Sequence, residues 1–248
     1  MIDDVHRREL VRIASSNRLL QTVVRTVRGA PDTTDKTRAF RRDVLNAIAA
    51  DEFERTELAG VPAFRDQRSL LLATLRHVDP TRRVWVELGV GSGSTARMIC
   101  DAARRLGLDM ELHGFDSFHG LPEAWGEIAP AGTYAYEPPR LAERNVRLHA
   151  GWFADTVPAF ARECEGPLGF VHVDCDLYSS TKTAFDALGP LLAPGTVLLF
   201  DEYWNYLEAP EHEMKALAEF VAENGLSFEY AGYNADYMQA SVVLRETS

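Results

Sequence analysis

From Arg83 onward the chain repeats one pattern: a short apolar run, a turn rich in glycine or acids, and then a helical period. The runs RVWVEL, ELHGFD, VRLHAG, GFVHVD and TVLLFD are separated by helical stretches such as STARMICDAARRLG and STKTAFDALGPLL. Parallel strands need a crossover between neighbours, so this alternation specifies βαβ units around a parallel sheet. The tail LSFEYAGYNADYMQASVVLR reads as two strands joined by a turn, an antiparallel hairpin at one sheet edge. The predicted fold class is therefore α/β, doubly wound and mostly parallel.

The first 82 residues have a different character. Val5 to Val27, Lys36 to Leu58 and Phe64 to Val78 carry apolar residues at helical spacing, interrupted by GAPDTTD and by Gly60-Val61-Pro62. The sequence thus divides into an N-terminal helical segment, residues 1–82, and a larger domain, residues 83–248. A chain of 248 residues is long enough for one large α/β core.

Charge narrows the class of partner. With 37 acidic against 26 basic residues, the net charge of −11 opposes nucleic acid and anionic membrane surfaces and favours a small molecule. The start MIDDVHRRELVRIASS lacks the apolar stretch of a secretory signal, and no run approaches a membrane span. Cys100, Cys164 and Cys175 lie far apart without C-x-x-C spacing, which fits a reduced, cytoplasmic setting.

The segment VELGVGSGST places Gly89, Gly91 and Gly93 between the first strand of the domain and a helix. Glycines let a ligand approach the backbone, and the helix start offers free N–H groups. The dinucleotide fingerprint G-x-G-x-x-G is not met, because its third glycine is replaced by Ser94. Glu87 beside the loop would repel a pyrophosphate and attract a cationic ligand such as S-adenosylmethionine. A tight turn chosen only for packing is the alternative. Asp116, about 23 residues after the loop, can accept hydrogen bonds from ribose hydroxyls, a feature shared with nicotinamide enzymes.

In FVHVDCDLYSSTK a core strand runs into Asp174 and Asp176. A buried carboxylate requires a partner, a hydrogen bond or a cation. Asp174 could instead cap the following helix; Asp176 is assigned to the turn and helix start. Tyr178 and Lys182 have the Y-x-x-x-K spacing of short-chain dehydrogenases, although the glycine loop and its place in the chain differ from theirs. The simpler role for Tyr178 is to start the helix that follows this strand. His212-Glu213 does not complete H-E-x-x-H. His172, inside an apolar strand, reads as a hydrogen-bonded core residue, and His113 and His149 do likewise.

Together VELGVGSGS, GFDSFHGLPE, HAGWFADTVP, VHVDCDLYSST and LLFDEYWNY resemble the class I S-adenosylmethionine methyltransferases, and more closely the macrocin and mycinamicin sugar O-methyltransferase family. The resemblance runs from about Arg83 to Arg245. It implies a seven-stranded sheet with a terminal hairpin and a cofactor across the carboxyl ends of the strands. Glu87, Gly89, Gly91 and Ser92 would line the methionine portion, Asp116 with Ser117 would hold the ribose, and Gly151, Trp152 and Phe153 would lie near the adenine, with Asp174 bordering the cofactor.

The same resemblance implies a magnesium ion on Asp174, Asp201 and Glu202, and oxygen donors suit that ion. Asp201-Glu202 stands where the family pairs two aspartates. Methyl transfer requires in-line alignment and removal of the hydroxyl proton. Asp174, Asp201 and His212 are the candidate catalytic residues, and Tyr203, Trp204 and Tyr206 a candidate acceptor wall. The implied function is O-methylation of a deoxysugar in antibiotic biosynthesis, as a nucleotide sugar or a glycoside. The N-terminal helices would form a lid or a homo-oligomer contact. Two other classes remain: an NAD(P)-dependent oxidoreductase and a non-catalytic cofactor-binding assembly or regulatory protein.

Overall fold

The computed structural model describes residues 35–247; the expected helix from Val5 to Val27 lies outside them. Contacts divide the chain after Gly60, with Asn205–Leu207 joining the first unit and Val61–Trp204 with Glu208 onward forming the second. In the first unit, helix α1 (Asp35–Thr56) is joined to the later segment by the Asn46 side-chain amide, which donates to the Asn205 carbonyl at 2.9 Å.

The second unit holds one eight-stranded sheet: β1 (Ala63–Phe64), β2 (Val84–Leu88), β3 (Glu111–Asp116), β4 (Val146–Ala150), β5 (Phe170–Val173), β6 (Val197–Phe200), β7 (Leu226–Asn234) and β8 (Ala240–Glu246). Their order is β1-β7-β8-β6-β5-β2-β3-β4. Neighbours run parallel except β8, which is antiparallel to both β6 and β7. All seven expected strands form. The eighth, β1, pairs with Tyr233 and Asn234 at the end of β7. The tail hairpin is therefore not a bare edge: β8 is inserted between β6 and β7, and β1 covers the end of β7. The sheet-bearing unit accordingly begins at Val61 rather than at Arg83, where the sequence alternation starts.

Five more helices follow in this unit: α2 (Gln67–Leu75), α3 (Ser94–Leu106), α4 (Phe153–Glu163), α5 (Tyr178–Leu188) and α6 (Glu213–Asn224). Asp66 caps α2 by accepting from the Ser69 amide at 2.9 Å. In α3, Ala96, Ile99, Cys100 and Ala103 recur at helical spacing and are buried, so one face of the helix joins the core. Trp85 meets Phe170 edge to face at 5.4 Å beneath it, and Phe185 contacts Phe200 and Phe220 on another part of the core. All three cysteines are free thiols. Among the described residues no helix is long and apolar enough to cross a membrane.

Candidate active site

The carboxyl ends of β2, β3 and β5 open into a cleft of about 360 Å³. Its lining includes Gly89, Asp116, Ser117, Trp152, Phe153 and Asp174, six residues chosen from sequence. In open parallel sheets ligands bind at this end, where successive crossovers diverge. The glycine loop forms one wall because the backbone at Gly89 has φ +91° and lies against β5: a Cβ there would fall 1.7 Å from the Asp174 carbonyl oxygen. No L side chain fits that approach.

Asp116 closes the loop from β3. Its Oδ2 accepts from the amides of Val90 and Gly91 at 2.9 and 2.8 Å, and its Oδ1 from Phe118 at 2.7 Å. One carboxylate thus ties the loop to β3 as well as facing the cleft. Gly151 extends the same corner, its amide donating to the Asp116 carbonyl at 2.9 Å. Trp152 stands 40% exposed beside it. Ser92 is exposed, and Gly91 faces the Tyr136 ring, 3.3 Å from where a Cβ would sit. The segment carrying Tyr136, Pro139 and Leu141 therefore packs over the loop, a feature no sequence pattern had indicated.

Glu87 lies beneath the loop rather than in the cleft lining. It is 1% exposed, neither carboxyl oxygen has a hydrogen-bond partner, and its nearest basic neighbour is His172 Nδ1 at 3.6 Å. Burial, and then the charge of Asp116, push the Glu87 pKa well above the carboxylate range. His172 is a core residue as expected, but without the expected hydrogen bond on either ring nitrogen. Burial depresses its pKa. His113 and His149 bond each other at 3.0 Å.

The chain after β5 brings acids together beside the glycine loop. Asp174, Asp176 and Glu202 each place a carboxylate oxygen within 4.8 Å of the others. This trio differs from the expected Asp174, Asp201 and Glu202. Asp176 enters because its backbone, at φ +62°, sits in a three-residue turn closed by the Leu177 amide on the Cys175 carbonyl at 2.6 Å. It does shape that turn, and the turn also carries its carboxylate into the cluster. Asp201 accepts instead from the amides of Gln67 and Gln239 at 3.2 and 2.5 Å.

Glu213, missed in the sequence, is fully buried at the start of α6, with Oε1 accepting from the Cys175 amide at 3.4 Å. Its only signal was an acid opening an apolar helix. Burial, followed by neighbouring carboxylates, raises the pKa of Asp174, Glu202 and Glu213 well above normal. Asp176 is pushed up to about 6 by burial, partly offset by a hydrogen bond with Glu202. Clustered buried acids of this kind fit a divalent cation with oxygen ligands.

Other candidates move away from the chemistry. His212 Nδ1 faces the Tyr178 amide at 3.4 Å, its ring packs near Trp125, and burial lowers its pKa. It is absent from the cleft lining. Tyr203 and Trp204 are buried packing residues, because the chain after β6 turns back and both amides donate to the Met238 carbonyl. Tyr134 and Tyr237, not chosen from sequence, are the aromatics whose hydroxyls feel the acidic cluster: burial first, then those carboxylates, raise their pKa values, that of Tyr237 to about 12. The Y-x-x-x-K spacing is coincidental. Tyr178 begins α5 and donates to Glu219 at 2.7 Å, whereas Lys182 pairs with Asp186 and Glu223.

Comparison with known proteins agrees with this geometry. The family described as "Methyltransferase domain" matches residues 86–203. A curated relative from Streptomyces olivaceus, 8-demethyl-8-(2,3-dimethoxy-alpha-L-rhamnosyl)-tetracenomycin-C 4'-O-methyltransferase, is 33% identical over 140 residues, 53% of this chain and 46% of the relative. The match therefore spans about half the length of that relative. Among solved structures, the calicheamicin methyltransferase CalS11 superposes with TM-score 0.55 at 18% identity, covering 90% of each chain. The O-methyltransferase NovP gives 0.52 at 22% identity, covering 72% of this chain and 77% of its own. Both share the sheet and its helices. Residues 86–203 are thus similar to a methyltransferase domain, and the sheet with its flanking helices has the α/β fold of these two solved structures.

Proposed function

We propose that the protein is an S-adenosylmethionine-dependent O-methyltransferase acting on a hydroxyl of a small-molecule acceptor, a deoxysugar of a secondary metabolite carried as a nucleotide sugar or a glycoside. The observation that carries this reading is one cleft whose lining joins Gly89, Asp116, Trp152 and Phe153 to the acidic residues Asp174 and Asp176. A cofactor bound along the first set would bring its methyl group toward the second. The tetracenomycin relative acts on a rhamnosyl group, which supports a sugar as acceptor.

Each residue has a physical task in this scheme. The Gly89 loop admits the methionine portion at close range, with Gly91 and Ser92 beside it. Asp116, already accepting from three backbone amides, takes one ribose hydroxyl on the lone pair left on Oδ1, with help from Ser117. Gly151 opens the corner so that Trp152 and Phe153 can flank the adenine. Glu87 lies buried beneath this loop.

Asp174 lines the cleft, where its carboxylate can accept the hydroxyl proton as the methyl group passes from sulfur to oxygen. This role replaces His212, whose Nδ1 faces a backbone amide. Asp174, Asp176 and Glu202 would hold Mg²⁺, which, when bound, supplies Lewis acidity toward a sugar hydroxyl. Tyr134 and Tyr237 would form the aromatic wall beside the acceptor.

The test is transfer of a labelled methyl group from S-adenosylmethionine to a panel of deoxysugar glycosides and nucleotide sugars. Formation of S-adenosylhomocysteine together with a product heavier by one methylene supports the reading. Cofactor binding without transfer to any acceptor would favour the non-catalytic alternative, and preferential binding of NAD(P)H would favour the oxidoreductase.

A further inference from the structure

We propose that Gln239 is a positioning residue that fixes the orientation of Asp201 beside the acidic end of the cleft, through a side-chain relay anchored on the backbone of Asp236. The inference rests on the methyltransferase reading for its functional consequence. The relay itself rests on hydrogen-bond geometry.

The direction of every bond follows from one unambiguous donor. The Asp236 amide donates to Asn234 Oδ1 at 3.1 Å, which fixes the flip of the Asn234 carboxamide. Asn234 Nδ2 must then donate, and it meets Gln239 Oε1 at 3.0 Å. That contact fixes Gln239 in turn, so its Nε2 donates to Asp201 Oδ1 at 2.5 Å. Asn234 and Gln239 are only 4% and 3% exposed, so water cannot substitute readily for a lost partner. From the opposite side Gln67 Nε2 donates to the same Asp201 oxygen at 3.2 Å. Both amides thus converge on Oδ1, and neither occupies Oδ2.

Placement explains why amides are suited to this position. Gly114, Glu87, His172 and Leu199 lie in register across the sheet and so share one face with Asp116, and Asp201 comes two residues after Leu199, just past the end of β6. Its charge is among those acting on Asp174, Asp176, Glu202 and Glu213. Two neutral donors on Oδ1 fix the orientation of this side chain, whereas a lysine or arginine there would add a positive charge beside the acidic cluster. The Arg65 ion pair with Asp236, at 2.9 Å, steadies the outer end of the relay.

The experiment compares wild type, Gln239→Met, Gln67→Met, Asp201→Asn and the Gln239→Met/Asp201→Asn double variant. Calorimetry with S-adenosylhomocysteine verifies folding and judges the methyltransferase reading separately, since wild type that does not bind it defeats that reading alone. Loss of an orienting partner typically lowers activity by about 10- to 100-fold, so kcat should fall in that range for Gln239→Met while the KM for S-adenosylmethionine changes less than about twofold. In the Asp201→Asn background the second substitution should add little, the signature of action through one shared partner. Independently of any acceptor, a crystal structure of Gln239→Met should show the Asp201 carboxylate turned from its wild-type orientation; should that variant not fold, the structure of Gln67→Met is read for the same displacement. An unmoved Asp201, an unchanged kcat, or fully additive losses in the double variant would each overturn the proposal.

Discussion

Gly89 lies so close to Asp174 that a Cβ on the glycine would fall 1.7 Å from the aspartate's carbonyl oxygen. The contact joins the glycine loop to the acidic strand end, so the two halves of the site share one backbone seam. Gly89→Ala must force these strand ends apart while also occupying φ +91°. The expected result is loss of S-adenosylhomocysteine binding and destabilisation by about 3 kcal/mol or more, measured by calorimetry and urea unfolding. Binding within twofold of wild type would show that the seam is not required.

Asp116 supports the same loop from the other side. In Asp116→Asn one acceptor oxygen becomes an NH₂ facing a backbone donor, at Phe118 or at Val90 and Gly91. The unsatisfied contact should cost about 1–3 kcal/mol and weaken S-adenosylhomocysteine about tenfold or more. Equilibrium titration checks the affinity, and thermal melting the stability.

The acidic cluster makes a prediction about pH. Glu213 is buried with a raised pKa, so folding takes up a proton, and its stability contribution is lost as pH rises above the unfolded carboxylate value. Glu213→Gln removes the charge but keeps an acceptor for the Cys175 amide. It should stabilise the cation-free protein by about 1–3 kcal/mol at pH 7.5, with a smaller gain at pH 5. Magnesium should raise the wild-type melting temperature at pH 7.5, and that response should vanish in Asp176→Asn and in Glu202→Gln.

His113 acts with the opposite sign. Burial lowers its pKa to about 4, so the unfolded chain binds a proton first as the medium is acidified. Stability should therefore fall between about pH 6.5 and 4, by at most about 3 kcal/mol from this group. Urea unfolding of His113→Leu should show a smaller loss over the same interval than wild type.

How the sequence encodes the site explains which parts were legible. Strand alternation and the glycine loop are local patterns, and they located all seven long strands together with Gly89, Asp116, Trp152, Phe153 and Asp174 in one cleft. β1, by contrast, is two residues long and exists only because β7 offers an edge. Asp176 entered the cluster through a left-handed turn, and Asp201 left the expected trio because Gln67 and Gln239 reach it from distant elements. Glu213 is 39 residues from Asp174 in the chain. Contacts set by tertiary approach leave no periodic trace, so the acidic end was less legible than the glycine loop.

The most direct test of the central claim is calorimetric titration of the protein with S-adenosylhomocysteine, with Gly89→Ala and NADPH as controls. Saturable one-to-one binding to wild type is expected, with no binding to Gly89→Ala and none of NADPH. Saturable binding of NADPH with no response to S-adenosylhomocysteine would contradict it.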